Sequence, residues 1–182
     1  LIRLDDVPLG AAPPDEVNVV VTAPAGGEPY AAAVDPATGA ITVTALFTTA
    51  MRFPGSYGFL PATANEAGGR LAALLVTGHA LAPGLVVPAR PVGLLYVAGE
   101  GGDERTVIAV PAGRLTGRFE RVRNYTDLPQ GQLRQIAHFF AHFRDLEEAG
   151  RARPSGWGDV SEARRAILEA AERARRPSGG SD

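Results

Sequence analysis

The chain has no cysteine and no lysine, one methionine and one tryptophan among 182 residues. Without cysteine there are no disulfides and no thiolate metal sites, and the redox compartment stays open. Without lysine, the 18 permanently cationic side chains are all arginines. The formal net charge is −2, which points neither to nucleic acid nor to an anionic membrane surface. No apolar run reaches the roughly 18 residues of a membrane-spanning helix, and no secretory leader is recognisable near Leu1. These absences lead us to expect a cytoplasmic protein with no nucleic-acid or membrane partner. At 182 residues the chain can bury a sizeable core.

What is present is a series of short apolar runs separated by Gly and Pro. Residues 1 to 15 include Pro13-Pro14 and read as an arm. Residues 16–176 read as a single domain, and residues 177–182 as a disordered tail. Val17 to Val21 is a β-branched strand. Tyr30 to Val34 and Ile41 to Thr44 flank the turn Asp35-Pro-Ala-Thr-Gly39. Leu71 to Val76, Leu85 to Val87, Val92 to Val97 and Thr106 to Val110 complete the strand pattern, which suggests a small barrel. Two helices follow. Asp127 precedes Pro129 as a cap, and Leu133, Ile136, Ala137, Phe140 and Phe143/Arg144 recur at helical spacing through Leu146. Asp159 with Glu162 forms a capping box for a second, alanine-rich helix.

The segment Gly58-Phe-Leu-Pro-Ala-Thr63, with Met51-Arg-Phe-Pro-Gly-Ser-Tyr57 before it, resembles the soluble family I inorganic pyrophosphatases. Landmarks in the same order extend from about Val17 to Arg175. They include Arg90-Pro-Val-Gly93, Val107-Ile-Ala-Val-Pro111, His138-Phe-Phe-Ala-His142 and Gly156-Trp-Gly158. The resemblance implies an α+β fold that is mainly β, a five-stranded OB-like barrel with two outer C-terminal helices.

In that family the segment continues as D-G-D-P-x-D, whose aspartates hold magnesium; here those positions are Ala67, Gly69 and Ala72. A strand glutamate becomes Thr22, and two loop aspartates become Gly99 and Glu104. Glu104 is the conservative replacement; Glu100 and Asp103 also keep charge nearby. Phosphate-contacting positions of the family correspond to Ala31, Ala33, Ala45, Phe53, Thr106 and Phe143, while Tyr57 is retained and Arg144 stands in for a lysine.

Divalent-metal hydrolysis needs converging carboxylate oxygens. Their replacement leads us to expect a fold that has lost pyrophosphate hydrolysis and needs no metal or other cofactor. The expected working site is an apolar pocket for a small organic metabolite, walled by Thr22, Ala31, Ala33, Ala45, Phe53, Ala72, Thr106 and Phe143. Tyr57, Arg144 and Glu104 would there serve a metal-free cyclisation, isomerisation or dehydration in specialised metabolism. Arg52 and Arg70 would lie near its rim. The alternative is a non-catalytic pseudoenzyme acting as a ligand-binding, regulatory or structural partner.

His138, His142 and Asp145 fall at i, i+4 and i+7 on one helix face. That spacing fits zinc or a subunit contact. The resemblance implies the contact, in a homo-oligomer that is a hexamer or a trimer.

Overall fold

The computed structural model describes residues 3–99, 102–148 and 152–176. Eight strands and two α-helices follow in order: β1 (Val17–Ala23), β2 (Tyr30–Val34), β3 (Ile41–Leu46), β4 (Ser56–Leu60), β5 (Leu71–Leu75), β6 (Val86–Gly99), β7 (Gly102–Pro111), α1 (Gln130–His142), β8 (Ala152–Gly158) and α2 (Val160–Arg175). The expected tail lies outside the described residues, as does Glu100.

Five strands close on themselves in the order β1-β4-β5-β7-β6, with β6 returning to β1. Closure removes the open edges that an apolar sheet of this kind would otherwise expose. The join is made by β6, whose 14 residues serve three partners. Its first part pairs antiparallel with β1, from Val17 opposite Ala89 to Val20 opposite Val86. A register irregularity between Pro91 and Gly93 then bends the strand. Proline has no N–H for the ladder, so a bulge is where a strand tolerates it. Beyond the bend, β6 stays with β7 and takes β8 on its other edge. β5 and β7 run parallel, with Ala72 opposite Thr106. The hairpin β2–β3 forms its own two-stranded sheet. At its turn the Asp35 carboxylate accepts from Ala37 N at 2.8 Å and Thr38 Oγ1 at 2.9 Å.

The barrel strands are covered on both faces, which is why they read as continuous apolar runs. Along β5, Leu71, Ala73 and Leu75 join a cluster with Ala163, Ala166, Ile167 and Ala170 of α2. Leu74 joins the opposite cluster, with Ile136, Phe139 and Phe140 of α1. The alanines of α2 let its axis approach the sheet closely. Its capping box is formed: Asp159 Oδ1 accepts from Glu162 N and Glu162 Oε2 accepts from Asp159 N, both at 2.9 Å. From the expected arm, Leu9 is buried in the α2-side cluster.

Three local expectations need correction. Asp127 does not cap α1; its Oδ2 accepts from Arg123 N and Asn124 N and closes the preceding 3₁₀ turn, and Pro129 stands at the helix N-cap. Those two N–H donors hold the Asp127 carboxyl below its usual pKa. Helix α1 stops at His142 rather than continuing to Leu146. After Phe143 the backbone bonds become i→i−3 turns, Asp145 N to His142 O and Glu147 N to Arg144 O. Third, the runs Leu85 to Val87 and Val92 to Val97 are joined in the one strand β6, and the segments 56–60 and 152–158 are further strands that no apolar alternation announces. Among the described residues no helix is long and apolar enough to cross a membrane.

Gly58 is the tightest point of the barrel beside the site. A Cβ there would fall on the Val20 carbonyl oxygen of β1. Gly58→Ala is therefore expected to destabilise the fold by about 3 kcal/mol or more, since backbone rather than a flexible side chain must move. Urea unfolding checks this; a change below about 1 kcal/mol would show that β1 and β4 separate easily.

Candidate functional site

The barrel and the elements packed on it leave a cavity of about 220 Å³. Each face of it has a different origin. The hairpin contributes Tyr30, Ala31 and Ala32; the segment after β3 contributes Phe47; β4 and its approach contribute Tyr57 and Phe53. Asn65 and Arg70 come from the β4–β5 loop, Ala72 from β5, Val97 from β6 and Glu104 from β7. Phe140 of α1, with Phe143 and Arg144 just beyond it, closes the remaining side. A larger recess of about 510 Å³ adjoins it and shares Ala32, Tyr57, Asn65, Arg70 and Ala72.

Most of the expected site residues meet here. Tyr57, Arg144 and Glu104 line the cavity together with Ala31, Phe53, Ala72 and Phe143. Thr22 and Ala33 line the adjoining recess. Two residues are misplaced by sequence reasoning. Thr106 is buried between Ala72 and Leu95 within the sheet and does not line the cavity. Ala45 lies opposite Ala31 in the hairpin and lines neither space. Arg52 is turned away and pairs with Glu28 at 3.3 Å. Arg70, by contrast, lines both spaces. Phe47, Asn65, Val97 and Phe140 were not foreseen, because their approach depends on how distant elements pack.

The polar groups divide into those already engaged and those left over. Tyr30 donates its hydroxyl to Thr22 O at 2.5 Å, and Thr22 donates to Tyr57 O at 3.3 Å. Asn65 is spent on its own loop: Oδ1 accepts from Gly69 N at 2.8 Å and Nδ2 donates to Arg70 O at 3.2 Å. Left over are the Tyr57 hydroxyl, the Glu104 carboxylate and the Arg144 guanidinium. The guanidinium sits over the rings of Phe47 and Phe143, each at 5.1 Å, and its Nε is buried without a hydrogen-bond partner among the described residues. The turn that carries it is tied down, because Glu147 Oε1 accepts from Thr48 N at 2.9 Å.

A buried donor with no acceptor costs on the order of 1–3 kcal/mol, more for a charged group, and the Arg144 Nε carries that cost at this site. Tyr57 is a second donor. It stacks on Phe53 at 5.3 Å, and burial together with the Glu104 charge pushes its phenol up to about 12, against a smaller opposing effect from Arg144. It stays protonated at any ordinary pH.

A divalent ion does not fit this donor set. Hard cations take about six to eight oxygen ligands, several of them carboxylates. Among the described residues no group of three or more His, Cys, Asp or Glu side chains could hold a metal ion. At the positions where the resemblance would place metal ligands stand Thr22, Ala67, Gly69, Ala72 and Gly99, leaving Glu104 alone. The zinc alternative on α1 meets the same finding, although His142 Nδ1 does pair with Asp145 Oδ2 at 2.7 Å and the His138 and His142 rings lie 4.6 Å apart.

The Tyr57 environment makes a pH prediction. Its folded pKa of about 12 lies above the ordinary phenol value of about 10. The stability it contributes is therefore fully present below pH ~10 and is lost as pH rises through about 12. Ultraviolet titration of tyrosinate should show a late step near 12 that Tyr57→Phe deletes. A late step that persists unchanged in Tyr57→Phe would assign it to another tyrosine, since Tyr30 and Tyr96 are also raised by burial.

Residues 19–175 match the family model described as inorganic pyrophosphatase. A protein of Agrobacterium fabrum named inorganic pyrophosphatase is 41% identical over 172 residues, covering 94% of this chain and 97% of its own length. One of Brucella melitensis with the same name is 40% identical over 174 residues, covering 96% and 99%. The crystal structure of the inorganic pyrophosphatase of Thermus thermophilus superposes with a TM-score of 0.89 at 32% identity, covering 96% of this chain and all of that one. Names carried at this identity and coverage overturn the expectation of a repurposed metal-free cyclase, isomerase or lyase, and with it the pseudoenzyme alternative. The surviving barrel with two outer helices, the full-length match and the close superposition lead to one conclusion: the chain belongs to the inorganic pyrophosphatase family.

Proposed function

We propose that this chain acts on inorganic pyrophosphate, bound in the cavity between the β2–β3 hairpin, β4 and the end of α1. The observation that carries the reading is Arg144. A guanidinium presents up to five N–H donors in a fork that matches phosphate oxygens. This one lines the cavity and is seated on two phenyl rings, so an oxyanion arriving there meets a cation already held in place. The protonated Tyr57 hydroxyl offers a further donor, and Arg70 brings a second positive charge to the same cavity. The names of the relatives supply the identity of the anion.

Hydrolysis adds water oxygen to one phosphorus, breaks the bridging P–O bond and yields two orthophosphates. Glu104 is the carboxylate on this cavity and is the group to take the proton from the attacking water. In the same proposal the chain is a divergent member, keeping Tyr57, Arg144 and Glu104 where its family relies on a larger set of charged ligands. Loss of several kcal/mol of metal stabilisation corresponds to turnover slower by about 10³-fold or more than in a member with the full set. Phosphate release from pyrophosphate, measured with and without magnesium, tests this. Release above the buffer rate is expected, with kcat/KM falling by about 10- to 100-fold in Arg144→Ala, the worth of a charge-assisted hydrogen bond. No release under any condition would refute hydrolysis.

We further propose that the exposed His138–His142–Asp145 face is a contact between copies of the chain in a homo-oligomer. The paired His142 and Asp145, with the adjacent His138 ring, form an ordered polar surface at the end of α1. Light scattering should give a multiple of the 19.0 kDa chain mass, reduced in the double variant His138→Ala/His142→Ala. A monomer at micromolar concentration would refute it.

A further inference from the structure

We propose that this site binds pyrophosphate without a divalent cation, the charge being supplied by Arg144. The inference rests on the assignment of pyrophosphate to the cavity and concerns how that anion is neutralised.

The argument is one of charge balance. A wall of carboxylates repels a phosphate anion, so a site built that way requires cations between wall and ligand. Here the wall is neutral where the resemblance would place it negative. Ala72 lines the cavity, and Ala67 and Gly69 stand in the adjacent loop. Among the described residues the charged side chains on the cavity are two arginines, Arg70 and Arg144, and one carboxylate, Glu104. A naked pyrophosphate therefore enters a space where, among the described lining residues, carboxylates do not outnumber arginines.

Geometry agrees with charge. Arg144 is not a swinging surface side chain; it packs on Phe47 and Phe143, and Phe143 in turn stacks on Phe139 at 4.8 Å. Aromatic surroundings lower the local dielectric and strengthen an ion pair made there. Among the described residues lining the cavity Glu104 is the one carboxylate for magnesium to bridge to, so a magnesium–pyrophosphate complex would lose ligand charge while gaining one protein ligand. The magnesium complex should bind no better than the free anion, and less well where charge dominates.

Titration calorimetry with sodium pyrophosphate settles this on the intact chain. Three arms suffice: wild type in EDTA, wild type in magnesium exceeding the pyrophosphate, and Arg144→Ala and Arg144→Lys in EDTA, each variant checked by thermal melting. Saturable binding in EDTA is expected, unchanged or weakened by magnesium. Arg144→Ala should weaken it about 10-fold or more, with Arg144→Lys between the two because it keeps charge but loses the fork. Binding seen only with magnesium would overturn this inference and leave the pyrophosphate assignment standing. Binding in neither condition would overturn both. Binding in EDTA that Arg144→Ala leaves intact, in a variant that melts like wild type, would overturn the role of Arg144.

Discussion

Closure of the barrel through β6 is the constraint on which the remaining structure depends. One strand must pair with β1 at its start, run beside β7 throughout and accept β8 at its far end. The bend at Pro91–Gly93 makes this possible. Without it the first and last barrel strands would be left as open edges. The same bend sets the position of the helices. Beyond it, Leu94 faces the α2 side and Leu95 the α1 side, so both outer helices are anchored by consecutive residues of one strand.

The site inherits its form from this arrangement. β5 and β7 are parallel neighbours, which brings Ala72 and Glu104 to one rim although they are far apart in the chain. The end of α1 swings Phe143 and Arg144 over the opposite rim, and the Glu147–Thr48 bond locks the turn to the segment that carries Phe47. The result is an aromatic frame around one guanidinium. Such a frame leaves Arg144 and Tyr57 as hydrogen-bond donors beside the Glu104 carboxylate, a set short of the several oxygen ligands a divalent ion takes. The names of the relatives point to the anion proposed for this site, and Arg144 is a group able to bind an oxyanion there.

Parts of this were legible in the sequence and parts were not. The β-branched run Val17–Val21 announces β1, and Asp159 with Glu162 announces the start of α2, because both signals are local. β4 was hidden: its Tyr57-Gly58 core suggests a turn, whereas Gly58 is there because β1 passes too closely for any side chain. β8 was hidden because Pro154, Gly156 and Gly158 are poor strand formers, tolerated where a strand joins at an edge. Ala45 and Thr106 belonged to the site by resemblance, yet hairpin and sheet register leave both outside the cavity lining.

The sequence by itself determined the family, the barrel with two outer helices, and the identity of the charged groups available for a ligand. Composition alone, with no lysine, already restricted permanently cationic side chains to arginine. Only the tertiary structure decided which arginines reach the cavity. Arg52 pairs with Glu28 at the surface, Arg173 donates to Ala64 O at 2.9 Å, and Arg144 is delivered into the cavity. Its helix ends one residue before Phe143, and the following turn is pinned by a residue nearly a hundred positions away in the chain. Helical periodicity had placed Arg144 as one more residue on a continuing helix. The direction of its side chain is set by long-range packing against Phe47, and no local pattern encodes that contact.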